Sequence, residues 1–255
     1  MGRSMMRRAV TKGLRELGRS GIYQRLPDRH NDVLVYHSIG GGGYDDISIE
    51  RFRAQLEWLQ DAYEIVDLPA VLDEGKNKRI ALTFDDGLGS FYGNVQPLLR
   101  EYSIPATVFV VGAAVRDPPG LRFMRRERLM TNDQLREIAA DPLVTIGAHT
   151  MSHPRLAQLT DEDELREEIN DGTECIESAL GVSIDRFSYP YYDWSEGARE
   201  IVSERHEYAV RGEGTTALIG NGTDPHLIPR VNGAVPLSTL RFTVSDSRKH
   251  LARIS

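Results

Sequence analysis

The chain has 255 residues, 40% of them apolar and 27% charged, the make-up of an ordinary soluble domain with room for one sizeable core. A net charge of −7 excludes the basic surplus of a nucleic-acid binder and gives no bulk attraction to a polyanion. The single cysteine, Cys175, excludes an intramolecular disulfide, and its helical surroundings predict a packed small residue rather than a nucleophile.

Residues 1–20 carry Arg3, Arg7, Arg8, Lys12, Arg15 and Arg19 against Glu16 alone. Met5, Met6, Ala9, Val10, Leu14 and Leu17 recur at helical spacing, so residues 1–30 read as a basic amphipathic segment before one domain over 31–255. Such a helix packs or is solvated; the sharper alternative is a weak peripheral contact with anionic lipid. No run has the length of a signal-peptide core or a membrane span, so a cytoplasmic location is expected, membrane-peripheral in that alternative.

Residues 33–37 (Val-Leu-Val-Tyr-His) read as a strand, and Gly40-Gly41-Gly42-Gly43 as a flexible loop. Ser48 is placed to cap a helix whose face is Phe52, Leu56 and Leu59. A short strand at 63–66 and a helical stretch at 68–72 follow. Residues 79–84 are an apolar run that stops at Asp85-Asp86-Gly87, which reads as a buried strand turning into a loop. A helix over 92–102 leads to a buried strand over 106–111. Residues 113–130, with Pro118-Pro119-Gly120 and five arginines, read as an irregular basic insertion.

Thr131 opens a helix to 140, and a strand over 144–148 delivers His149-Thr150-Met151-Ser152-His153. Pro154 disfavours a helical His153, so this pair belongs on a loop. Thr160 is the expected cap of a long acidic-fronted helix that Gly181 ends. A strand over 185–189, a helix over 195–205, a strand over 208–210, an extended piece over 226–230 and a helix over 237–246 complete the chain. This alternation implies parallel strands, in a (β/α) barrel or in an open doubly wound sheet. His37, Asp85, Asp86, His149, Tyr191 and Arg230 all lie just past predicted strands, where a barrel of this kind keeps its active site.

Adjacent strand residues face opposite ways, so Asp85 and Asp86 can share one centre only beyond the strand's end. Two neighbouring carboxylates repel, and a cation is the usual remedy. One carboxylate with two imidazoles, each past a strand, makes a three-ligand divalent-metal set with open positions.

Thr83-Phe84-Asp85-Asp86-Gly87, then His149-Thr150-Met151-Ser152-His153, then Phe187-Ser188-Tyr189-Pro190-Tyr191 resemble the polysaccharide deacetylase family, also called carbohydrate esterase family 4 or the NodB homology domain. The likeness runs from about Val33 to about Arg230. It implies a distorted (β/α)7 barrel and metal-assisted hydrolysis of an N-acetyl group on an amino sugar or polysaccharide. On this resemblance Asp86, His149 and His153 bind the metal, and Asp85 is the general base toward a water the metal activates. The backbone N–H of Tyr191, held by Pro190, would stabilise the oxyanion, and Pro190 and Tyr192 would line the substrate. Zinc is the first choice of metal, with nickel, cobalt, iron or manganese as alternatives.

Three departures from the family pattern matter. Ser188 stands where an arginine normally contacts the base, and Arg230 is the candidate replacement. Tyr192 replaces a glycine, which would narrow the groove. No late Leu-x-His motif supplies the acid for the leaving amine, and Tyr36-His37 matches relatives that draw it from the first strand. His37 is then expected across the cleft from the base, with His226 as runner-up; His30, His206 and His250 read as surface residues. Competing readings are a deformylase or O-acetyl esterase on a sugar or lipid-linked sugar, and a non-catalytic sugar-binding relative. The expected partner is an N-acetylated carbohydrate, with no nucleic acid; sequence gives no oligomeric state.

Overall fold

Alternate residues of the strands part into two apolar layers, and that division builds the molecule. The computed structural model describes residues 30–73, 78–116, 127–213, 219–220 and 222–245; the amphipathic segment 1–30, apart from His30, and the insertion's Arg122, Arg125 and Arg126 lie outside them. The strands are β1 (Asp32–Tyr36), β2 (Glu64–Ile65), β3 (Arg79–Phe84), β4 (Ala106–Val110), β5 (Val144–Ala148), β6 (Arg186–Ser188), β7 (Tyr208–Glu213) and β8 (Ile228–Asn232). All pair in parallel, and seven of them close into a ring, β1 meeting both β3 and β8. The two-residue β2 sits beside Arg79 and Ile80 of β3, while β4 takes that same side only higher up, at Thr83 and Phe84. This split edge is the distortion of the barrel, and the open doubly wound sheet is set aside by its closure.

Leu34, Tyr36, Leu82, Phe84, Val108 and Val110 point outward into the layer shared with the helices. Val33, Ala81, Phe109, Val210 and Ile228 fill the barrel. Period two then puts Asp85 on the interior face of β3, above Ala81 and Thr83. Gly147 of β5 is required by this filling: a Cβ there would lie 2.4 Å from the Phe109 ring.

The helices begin where their caps allow. Ser48 accepts from the Arg51 N–H and starts Ile49–Ala62, and Thr131 and Gln134 form a reciprocal capping box on Asn132–Ala139. The acidic helix is capped one residue later than expected: Asp161, not Thr160, accepts from the N–H groups of Asp163 and Glu164. It runs as Glu162–Arg166, a π turn Glu167–Asp171 and Gly172–Leu180, ending at Gly181 with φ +69°. The region expected to be irregular from 113 begins instead with the helix Gly112–Arg116, and Leu129 bridges to Leu88. The tetraglycine loop is held rather than slack. The Gly40 N–H donates to Ile47 O, Gly43 N–H to Ser38 Oγ, and Gly41 N–H and Ser38 Oγ both to Asp46 Oδ1. Among the described residues no helix is long and apolar enough to cross a membrane.

Candidate active site

β3 ends at Phe84, and the chain turns at once: Asp86 has φ +75° and Gly87 +69°. That left-handed step brings Asp86 to the same rim as Asp85, which a continuing strand would have prevented. Five of the seven non-glycine residues with positive φ among the described residues are Asp86, Thr150, His153, Tyr191 and Tyr192. Backbone strain is concentrated on the loops that carry the candidate site. His153 is non-helical, as Pro154 demands, but reaches φ +64° rather than an extended value.

Ligand atoms of Asp86, His149 and His153 lie within 4.8 Å of one another. Nε2 of His149 is 3.6 Å and Nε2 of His153 3.4 Å from Asp86 Oδ1. His149 Nδ1 lies 2.7 Å from the Ser188 carbonyl, which makes Nδ1 the protonated nitrogen and leaves the Nε2 lone pair facing the carboxylate. Asp86 Oδ1 is buried without a hydrogen-bond partner. Burial, then the charge of Asp85, pushes the Asp86 carboxyl up to about 8. Burial pushes His149 down to about 4 and also lowers His153, which the neighbouring His149 disfavours further. Two neutral imidazoles and a carboxylate short of positive charge fit a divalent cation: mixed nitrogen and oxygen donors, with burial offset by the ion.

Asp85 is differently placed. Arg230 of β8, fully buried, donates from Nη1 to Oδ1 and from Nη2 to Oδ2 of Asp85, both at 2.7 Å. Its remaining N–H groups reach Thr83 Oγ1, Ser188 Oγ and the Arg211 carbonyl, so all five have acceptors. Burial alone would raise the Asp85 carboxyl; the Arg230 charge, with help from His149, outweighs it and holds the group far below the usual range. Ser188 donates weakly to the same carboxylate at 3.4 Å. An arginine from β8 thus occupies the space that the serine on β6 leaves.

His37 is buried on this rim with Nε2 4.0 Å from Asp85 Oδ2. It adjoins the carboxylate expected to be the base instead of standing across from it, because β1 and β3 are direct neighbours in register to Tyr36 and Phe84. Burial lowers its pKa, against the pull of Asp85. His226 lies elsewhere: it precedes β8, and its Nε2 meets the His206 carbonyl at 3.0 Å. His206 is buried, not a surface residue, and packs on Phe187 beside Thr173.

Pro190 opens a single 3₁₀ turn, Pro190–Tyr192, after β6. The Tyr191 ring edges His153 at 4.6 Å and lies under the Arg155 guanidinium at 4.4 Å. Tyr192 turns inward: it occupies the space a Gly212 side chain would need, and its ring is 6.0 Å from Cζ of Arg230. It therefore covers the Arg230 fork in addition to edging any groove.

Sequence reasoning missed Glu168. Its carboxylate accepts from Ser152 N–H (2.8 Å) and Ser152 Oγ (2.5 Å), and its carbonyl accepts from Met151 N–H. The π turn frees that carbonyl, and Gly172 admits the loop, since a Cβ there would lie 2.5 Å from Met151 N. The loop between the two histidines is thus fastened to a neighbouring helix. No local signal marks a π turn in advance.

The family model for polysaccharide deacetylases matches residues 73–209. The Bacillus subtilis protein YxkH, whose own assignment as a polysaccharide deacetylase is provisional, is 26% identical over 218 residues, covering 83% of this chain and 71% of that protein. The poly-β-1,6-N-acetyl-D-glucosamine N-deacetylase of Escherichia coli K12 is 28% identical over 151 residues, 52% of this chain but 22% of that enzyme. Among solved structures, IcaB from Ammonifex degensii superposes with TM-score 0.73 at 23% identity, over 84% of this chain and 96% of that one. The Streptococcus pyogenes deacetylase PplD gives 0.71 at 20% identity, over 86% and 100%. At these identities the two structures speak for the fold alone.

Proposed function

The chain belongs to the polysaccharide deacetylase family, and from that premise we propose that it is a metal-dependent hydrolase that removes the N-acetyl group from an amino sugar within a carbohydrate. The observation that carries the reading is the buried, partnerless Asp86 Oδ1 facing the Nε2 atoms of His149 and His153. Asp86, His149 and His153 hold a divalent ion, for which zinc is the first choice given its tolerance of few, mixed ligands. When bound, that ion supplies Lewis acidity, which polarises the acetyl carbonyl and brings a water's pKa within reach of a weakly basic carboxylate.

The chain's own residues do the rest. Asp85, kept ionised by Arg230, takes the proton of the attacking water. The backbone N–H of Tyr191 donates to the developing oxyanion. An amine anion is too basic to depart, so a proton must reach the leaving nitrogen, and His37 delivers it from beside Asp85. Tyr192 covers Arg230 and keeps water from the fork that fixes Asp85.

The test is metal content together with activity. Purified protein should hold about one divalent ion per chain and release acetate from N-acetylated sugars, and His149→Ala should lose both. A panel that includes N-formyl, O-acetyl and lipid-linked sugars fixes the acyl group and carrier. Protein without metal, inert to added zinc, cobalt or nickel, overturns the reading.

A further inference from the structure

One carboxylate close to the cluster has no part in this chemistry. Glu127 follows the arginine-rich stretch, and the segment it opens lies antiparallel along the turn beyond Asp86. Gly89 N–H donates to Arg128 O at 2.7 Å and Met130 N–H to Gly87 O at 2.9 Å, with Leu88 bridged to Leu129. The Glu127 side chain prolongs that ladder, its Oε1 accepting from Ser90 N–H at 2.7 Å. Glu127 is thereby fixed to the turn that swings Asp86 onto the rim.

Its other oxygen, Oε2, is buried and has no hydrogen-bond partner among the described residues. The wall against it is the tetraglycine loop. A Cβ on Gly41 would lie 2.3 Å from Glu127 Cδ, and one on Gly43 2.5 Å from Oε2, so glycine at both positions admits the carboxylate. That backbone gives it no donor: Gly41 N–H is spent on Asp46 Oδ1 and Gly43 N–H on Ser38 Oγ. The loop thus shields a negative charge from water without neutralising it. Such a charge costs free energy unless an opposite one is near.

The neighbouring cluster does not supply it. Burial and Asp85 chiefly oppose the ionisation of Asp86, and Glu127 adds to them, so its charge is felt at the site. Asp85, Asp86 and Glu127 against Arg230 leave two negative charges beside neutral imidazoles, which is the charge of one divalent ion. Without Glu127 the filled site would keep an excess positive charge where water enters poorly. Glu127 is not in the group whose ligand atoms converge. We propose that Glu127 is the charge-balancing residue of the metal site, tightening the hold on a divalent ion through its charge and not as a ligand. This rests on the metal-dependent reading for the presence of the ion.

The probe is the metal alone. Chelator-stripped protein is titrated with zinc, cobalt and nickel in competition with a chromogenic chelator. Glu127→Gln keeps an acceptor for Ser90 N–H and exchanges one unpartnered atom for another, so that chiefly the charge is lost. It should weaken all three ions by one common factor of about ten, because a charge outside the ligand set does not discriminate among dications. The absorption spectrum of the cobalt form should keep its shape, since the ligands are unchanged. Metal-free Glu127→Gln should melt no lower than metal-free wild type, because a repulsion with Asp86 is relieved. Unchanged affinity overturns the proposal. Unequal losses, an altered cobalt spectrum or a lower metal-free melt make Glu127 a scaffold of the turn and overturn it too. So does a loss seen with Glu127→Ala but not with Glu127→Gln, which would assign the effect to the Ser90 acceptor. Wild type that takes up no ion defeats the metal reading together with this inference, whereas tight wild-type binding matched by Glu127→Gln defeats this inference alone.

Discussion

Arg186 and Arg230 both enter the barrel interior, and each faces two carboxylates. At the lower end Arg186, the first residue of β6, grips Asp67 through both Nη atoms and also reaches Asp185 and Thr107. At the upper end Arg230 grips Asp85 in the same forked way, with Asp86 next in sequence. The stoichiometry is alike, but the side chains of Asp67 and Asp185 are each 42% exposed, whereas those of Asp85 and Asp86 are 3% and 9% exposed. Water completes the solvation of the lower carboxylates. At the rim it cannot, and the missing positive charge must come from an ion or a proton. A structural end and a reactive end of one barrel thus differ less in residue types than in the access of water to the second carboxylate.

The largest effect expected from breaking this asymmetry is on turnover. Asp85→Asn keeps the shape and removes the proton acceptor, so kcat should fall about 10²–10⁴-fold while the bound ion is retained. Asp67→Asn, at the other end, should leave kcat unchanged. Loss of the ion with Asp85→Asn, seen by elemental analysis, would make Asp85 a ligand and erase the division of roles within the pair.

Stability separates the ends next. Arg230→Met strands a buried carboxylate and should cost about 3–5 kcal/mol. Arg186→Met leaves Asp67 able to hydrate and should cost about 1–3 kcal/mol, with activity per folded molecule preserved. Urea unfolding of both variants at one pH makes the comparison, and equal costs would mean that burial does not distinguish the two forks.

Much of the rim was legible because strand ends are. Asp85 and His149 follow short apolar runs, and the period-two pattern of β3 and β5 carries them to one face, while Asp86 and His153 reach the same rim through left-handed turns past the strand ends. Arg230 followed from the resemblance: Ser188 stands where the family carries the base's arginine, the carboxylate pair still needs a cation, and Arg230 ends a late predicted strand. Three things were not legible. His37 adjoins Asp85 because β1 pairs with β3 and not with β2, a long-range register that no local pattern encodes. Asp161 displaces Thr160 as cap, and because both residue types are competent caps, composition does not choose between the adjacent positions. Glu168 depends on a π turn, and helical periodicity survives such a turn almost unaltered.

The smallest predicted effect is a slope, and it tests whether Asp86 is the group short of charge. In metal-free protein Asp86 titrates near 8 when folded, because burial and Asp85 oppose its ionisation, against an ordinary 3.8 when unfolded. The folded form therefore holds a proton that the unfolded chain releases, and stability falls as pH rises toward 8. His149 and His153 act with the opposite sign. Their folded values lie below the ordinary 6.5, so their contribution rises with pH until about 6.5 and then levels. Asp85, held low, adds stability above its unfolded value near 3.8 that is lost only in acid. Between about 6.5 and 8 Asp86 is left as the titrating member of the cluster, and metal-free protein should lose up to about 1.4 kcal/mol per pH unit. Saturating zinc should abolish the decline, since a cation keeps the carboxylate ionised at no such cost, and Asp86→Asn should abolish it without zinc. Thermal melts of the metal-free protein across this window that stay flat, or a decline that persists in Asp86→Asn, would move the charge deficit of the rim to some other group.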